Sequence, residues 1–320
     1  MPKVDALLKM LFESDEAVAD VFNAVFGGGR RLITPSMVRP AAGHGIALRE
    51  QEDGQWRAKE RICDVVRRIQ WDDTKPDNHF LFGIENQLNP HLLMPWRVME
   101  THDLSYGHQE REAHRLFDSG RKPKDSVEFL SEVPREFRFN PMVTVVIYWG
   151  EVPWDVPRQF TDLLKPTPFS ELIPFLSQQT YPLLIPSEIP PKIIDGMEKF
   201  LKMVLKYVCA SRDEKQLLAL LRENPEYQTL PRDFAQGLLG LMGYLYKVDN
   251  KMEKVDMCKA FRDMEKRGEK RGEKRGCEET AKKLVYFMRE NSFPEDKLQE
   301  FLAKQMQYSP EQIAELCAVH

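Results

Sequence analysis

The sequence predicts an α/β chain in which a mixed sheet is flanked by helices and followed by a helical C-terminal extension. Three stretches carry that prediction. Residues 61–87 read as two β-strands joined by a polar turn, and residues 142–149 are an unbroken run of β-formers. From residue 195 onward the apolar side chains Met197, Phe200, Leu201, Val204, Leu205 and Val208 fall at helical spacing.

Taken in order, residues 6–26 carry an apolar stripe, Leu7, Leu8, Leu11 and Phe12, then Val18, Val21, Phe22 and Val25. This predicts one or two helices stopped by Gly27-Gly28-Gly29. Arg30 and Arg31 follow without a Gly-Lys-Ser/Thr signature, so a simple turn is preferred over a phosphate loop. Residues 45–50 (GIALRE) predict a first strand leading through polar 51–55 into the central hairpin. Within that hairpin Val65, Val66, Ile69, Phe80, Leu81, Phe82 and Ile84 suit a buried sheet. Asp72, Asp73, Pro76, Asp77 and Asn78 supply the turn. Period-2 alternation puts Phe80, Phe82 and Ile84 on one face and Glu85 with Gln87 on the other.

Asn89-Pro90 then makes a turn, and Pro95 suits the first turn of a helix over 96–117. His102, His108 and His114 recur every six residues along it, a spacing that keeps them off a shared face and predicts surface positions. Residues 153–191 are too rich in proline for one helix and predict a wrapping segment. Further helices are predicted over 215–221 and 232–246. Residues 266–276 read KRGEKRGEKRG. Each interior glycine costs a helix about 1 kcal/mol, against which Glu and Lys or Arg neighbours offer i,i+4 support, so a solvated marginal helix or a hinge is predicted. Arg267, Arg271 and Arg275 would align if it is helical, as a solvated face or as a contact to DNA phosphates; the glycines could instead let C-terminal helices pair in a homo-oligomer. Short amphipathic helices finish the chain. The expected divisions are a core over 1–165, a wrapping segment with helices over 166–262, the charged repeat over 263–280 and a small helical tail over 281–320.

Composition narrows the function classes. At 320 residues with 42% hydrophobic and 30% charged side chains the chain is globular, and its formal net charge of −4 excludes a uniformly basic nucleic-acid coat. The longest apolar run is far below the ~20 residues of a membrane span. Lys3, Asp5 and Lys9 interrupt the first apolar stretch, so no signal peptide is predicted. Cys63, Cys209, Cys258, Cys277 and Cys317 are scattered without a paired motif, the pattern of reduced thiols and a cytoplasmic location.

The chemistry concentrates in the hairpin. Asp64 on its first strand and Glu85 on its second project from adjacent strands, and a carboxylate in an apolar strand needs its charge compensated. A hard divalent cation such as Mg²⁺ is one compensator; ordinary ion pairs, Asp64 with Arg61 or Arg68, are the other. The order Asp, turn, Glu-x-Gln resembles the PD-(D/E)xK nuclease superfamily, and specifically its Rpn branch of recombination-promoting nucleases and transposase-like proteins. Further pieces resemble that branch: KVDALLKMLF and DVFNAVF as its first helix, ENQLNPHLLMPWRVM as its acid-x-Gln strand and helix start, PMVTVVIYWGEVPWD as its later strand, and KVDMCKAF with the repeats as its C-terminal region. The likeness covers most of the chain.

That resemblance implies a restriction-endonuclease-like fold and a metal-dependent DNA endonuclease, linked to recombination or mobile elements. It implies Asp64, Glu85 and Gln87 as catalytic residues, with Asp64 and Glu85 holding Mg²⁺. Gln87 stands where much of the superfamily has lysine, so its amide can orient water or phosphate without adding a cation. Arg97 is the candidate phosphate contact, or a salt bridge holding its helix. A further acid is implied on the first helix, for which Asp5 is the candidate, with a helix cap as its other role. The alternative function is a catalytically inactive nuclease-like scaffold that binds DNA or a protein partner.

Overall fold

The computed structural model describes residues 2–41, 47–50, 56–59, 63–75, 78–166, 168–169, 172, 174, 176–244, 248–249, 251–292, 294–304, 306 and 308–318. They form two compact units, one of Met1–Pro225 with Leu230–Lys254, the other of Glu226–Thr229 with Val255–His320. Among the described residues no helix is long and apolar enough to cross a membrane.

The first unit opens with two helices, α1 (Pro2–Leu11) and α2 (Asp15–Phe26). Ser14 separates them by capping α2, its Oγ accepting the Ala17 N–H at 3.2 Å. Gly28 and Gly29, at φ of 54° and 89°, then turn the chain where a side chain would be strained. A short strand, β1 (Val38–Pro40), precedes β2 (Ala47–Glu50), β3 (Trp56–Lys59), β4 (Val65–Gln70) and β5 (His79–Gln87). Helices α3 (Met94–Asp118) and α4 (Ser126–Ser131) lead to β6 (Met142–Tyr148), and the proline-rich stretch that follows contributes β7 (Leu183–Leu184). The unit is completed by α5 (Pro191–Asp195), α6 (Lys199–Ala210), α7 (Glu214–Glu223) and α8 (Arg232–Leu241). The helix predicted over 232–246 ends at Leu241, and its residues 245–246 lie outside the described residues.

Five strands make one mixed sheet in the order β1-β4-β5-β6-β7. β4 runs antiparallel to both β1 and β5, and β6 runs parallel to both β5 and β7. Alternation along β5 sets up its two sides. Phe80 and Phe82 lie 5.4 and 5.3 Å from the Phe22 ring of α2, so that face packs on the N-terminal helices. Leu81, Gly83, Glu85 and Gln87 point the other way, toward α3. A mixed α/β architecture with helices flanking the sheet therefore stands.

The predicted first strand needs correction. Its residues 47–50 do form β2, but β2 pairs with β3 in a separate two-stranded sheet, and the core edge beside β4 is β1. Two physical reasons account for this. Only 51–55 separate β2 from β3, so local pairing closes a short loop at small entropic cost. Val38, 1% exposed opposite the fully buried Ile69, meanwhile gives β1 an apolar anchor. Residues 45–46 and 51–55 of the prediction lie outside the described residues.

Helix α8 packs on α1 through glycine. A Cβ at Gly237 would sit 2.5 Å from the Leu7 Cβ, and one at Gly240 would meet Val4 Cγ2 at 2.8 Å. Gly237→Ala is therefore expected to destabilise the protein by about 1–3 kcal/mol through overpacking, although alanine favours a free helix by about 1 kcal/mol. Urea unfolding checks it, and a stabilised variant would show that propensity outweighs the close approach.

The second unit holds α9 (Met257–Glu290), α10 (Glu295–Lys304) and α11 (Pro310–Ala318). Ala281, Val285, Leu298, Leu302, Ile313 and Leu316 form its core. The charged repeat runs inside α9 as continuous helix rather than a hinge. Its four-residue period places like charges at i,i+4, so the favourable pairs fall instead at i,i+3, from Lys266 to Glu269 and Lys270 to Glu273. Three good helix formers per glycine, with both ends of α9 tied into packed structure, outweigh the glycine cost.

Candidate functional site

The register of the central hairpin decides which acids meet. Val65 pairs with Ile84, so the next step brings Asp64 opposite Glu85 on the α3 side of the sheet. Asp64 is exposed, and its Oδ2 accepts the Asn86 N–H at 2.8 Å, which fixes the carboxylate across the strand gap. Glu85 is only 6% exposed. Its Oε1 accepts the Gln87 amide at 3.0 Å and the guanidinium of Arg97 from the first turn of α3. The structure thus brings Asp64, Glu85, Gln87 and Arg97 into one corner of the sheet. Asp5 is elsewhere in its contacts: exposed in the first turn of α1, it pairs with Lys9 at 3.1 Å, and among the described residues nothing joins it to this corner.

Arg97 makes the ion pair that supplies Glu85 with a cation. The space left beside them, lined by Glu100, Thr101 and Thr144 among others, is about 10 Å³, room for roughly one water. An incoming phosphate would have to draw Arg97 away from Glu85. Among the described residues no group of three or more His, Cys, Asp or Glu side chains converges as a metal site. Magnesium does not require one, because it keeps several waters and is held by one or two carboxylates with substrate phosphate oxygens. Asp64 and Glu85 supply hard carboxylate oxygens of the kind magnesium takes, with Glu85 held by Arg97 in this structure.

Beneath the corner sits a polar tie that the sequence reading missed. His102 is buried, contrary to the surface position expected for it, while His108 and His114 are half-buried. Gln179 donates its amide to His102 Nδ1 at 3.3 Å, which leaves Nε2–H to donate to Thr144 Oγ1 at 3.0 Å. Thr144 on β6 aligns with Gly83 on β5, where a Cβ would come within 2.7 Å of its hydroxyl oxygen. Glycine at 83 thus admits the threonine that holds α3, and with it Arg97, against the sheet. The signal was present: Met94, Val98, His102 and Ser105 are all buried and share one helical stripe. Cys63, also buried here, has its thiol pushed well up by burial first and then by the nearby Glu85 and Asp64, so it stays protonated.

Burial lowers the His102 pKa from 6.5 to about 4. The unfolded chain therefore binds the extra proton between pH 6.5 and 4 while the folded protein does not. Stability conferred by the neutral ring is complete above pH 6.5 and falls with pH through that window, by up to about 3 kcal/mol. His102→Gln is expected to flatten the dependence in that window, as measured by denaturant melts between pH 4 and 7. An unchanged slope would remove His102 as its source.

No family model, no curated protein and no solved structure matches the chain.

Proposed function

We propose that the protein is a magnesium-dependent endonuclease of restriction-endonuclease-like fold that hydrolyses phosphodiester bonds in DNA, with Asp64 and Glu85 as the metal-holding pair. The observation that carries this reading is the placement of Asp64, directly before β4 and tied to the Asn86 N–H of β5, beside Glu85, with Gln87 and Arg97 directed at Glu85. When bound, the metal would lower the pKa of a coordinated water and stabilise charge at the phosphate. The protein's own groups divide the remaining work. The Asn86 N–H holds Asp64 in place. The Gln87 amide orients the attacking water or a phosphate oxygen. Arg97 transfers its charge from Glu85 to the phosphate, which suits a planar guanidinium that binds two oxygens at once.

A second reading draws on the same ion pair. With Glu85 already neutralised by Arg97, the corner also suits a catalytically inactive nuclease-like scaffold whose pair ties α3 to the sheet. Titration with Mn²⁺, followed by electron paramagnetic resonance, separates the two. The nuclease reading expects one bound ion, displaced by Mg²⁺ and weakened at least about tenfold by Asp64→Asn. Equal binding by wild type and variant, or none by either, would favour the scaffold.

A further inference from the structure

On the first unit, away from that corner, the starts of α6 and α8 and the Ser14 cap of α2 border a cleft of about 620 Å³. That volume lies within the roughly 300–1,000 Å³ range of small-molecule sites. Its wall is apolar and uncovered: Met10, Phe200 and Met252 stand 43%, 42% and 44% exposed around it. Phe200 is braced on the buried Phe234, ring centres 5.3 Å apart. Two flexible thioethers facing an aromatic pair give a surface that adapts to an unbranched apolar body.

The charges at the mouth are unequal in sign. Among the described residues, Glu198, Asp233 and Glu253 line it against one cation, Arg232, whose guanidinium is engaged by Asp233 at 3.2 Å. The Glu198 carboxylate accepts the Leu201 N–H at 2.8 Å. The opposing influence is the start of α8, which has no side-chain cap and carries a partial positive charge of about half a unit. Three carboxylates outweigh one paired guanidinium and that half charge. We infer that the cleft binds a cationic amphiphile, an apolar chain lying against Met10, Phe200 and Met252 with a protonated amine facing Glu253. This site is independent of the nuclease reading.

The test uses the full chain labelled with ¹³C-methyl methionine, with Met10 and Met252 signals assigned by Met10→Leu and Met252→Leu. Decylammonium, decanol and decanoate are the probes. The expected result is a saturable shift of both methyls with decylammonium, with decanol and decanoate each bound at least about fivefold more weakly. Glu253→Gln, at an exposed position, is expected to weaken decylammonium about fivefold and leave decanol unchanged. No saturable shift with any probe would overturn the proposal. So would decanoate binding as tightly as decylammonium, which would assign the head group to the open end of α8, or decanol doing so, which would leave an apolar cleft without charge selection.

Discussion

Replacing Asp64 by asparagine is expected to lower magnesium-dependent phosphodiester cleavage by about 10³-fold, equivalent to about 4 kcal/mol of transition-state stabilisation. The fold should hardly register the change. Asp64 is exposed, and the Asn86 N–H it receives at 2.8 Å can be accepted equally by an amide oxygen. A stability change within about 0.5 kcal/mol is expected, as for other exposed positions. What the substitution removes is the negative charge that draws a hard cation to the strand gap. Single-turnover cleavage at saturating Mg²⁺, with a parallel denaturant melt, reads both quantities. A loss below about tenfold with folding intact would take Asp64 out of the reaction.

Arg97→Met is expected to cost about 3–5 kcal/mol at neutral pH, because it strips the cation from a carboxylate that is 6% exposed. The Gln87 amide at 3.0 Å still donates to Glu85 but brings no charge. Adding Glu85→Gln to Arg97→Met removes the buried carboxylate charge, so the double variant should be more stable than Arg97→Met alone. The coupling expected from the cycle is about 2 kcal/mol. Urea unfolding of the two single variants and the double measures it. A cost below about 1 kcal/mol for Arg97→Met would mean that water, not the guanidinium, compensates Glu85, and that Arg97 moves from the carboxylate with little penalty.

The hairpin was legible in the sequence because period 2 is a strong signal. Alternation alone placed Glu85 and Gln87 on one face and Phe80 and Phe82 on the other, as the Phe22 contacts bear out. Cross-strand register was not legible, since it depends on how many residues the turn consumes, and that register is what sets Asp64 against Glu85. Arg97 carried two roles in the sequence, salt bridge and phosphate contact; the structure displays the first. His102 was misread because spacing among histidines was considered instead of spacing relative to Met94 and Val98, the apolar positions that define the buried stripe. The first core strand was misplaced because local hairpin closure between β2 and β3 competes with the sheet, and composition does not rank the two. In α9 glycine cost was weighed residue by residue, while the helix depends on the whole span from Met257 to Glu290.

Nicking of supercoiled plasmid by the purified protein, beside Glu85→Gln, with Mg²⁺ and then with excess chelator, tests the proposed hydrolysis most directly. Glu85→Gln keeps the side-chain shape next to Arg97 and Gln87 while removing the charge. Nicking by the wild type is expected to require Mg²⁺, to stop with chelator and to fall about 10³-fold in the variant. Equal activity in both proteins, or none in either with the fold intact, would contradict it and leave the nuclease-like scaffold as the function of this corner.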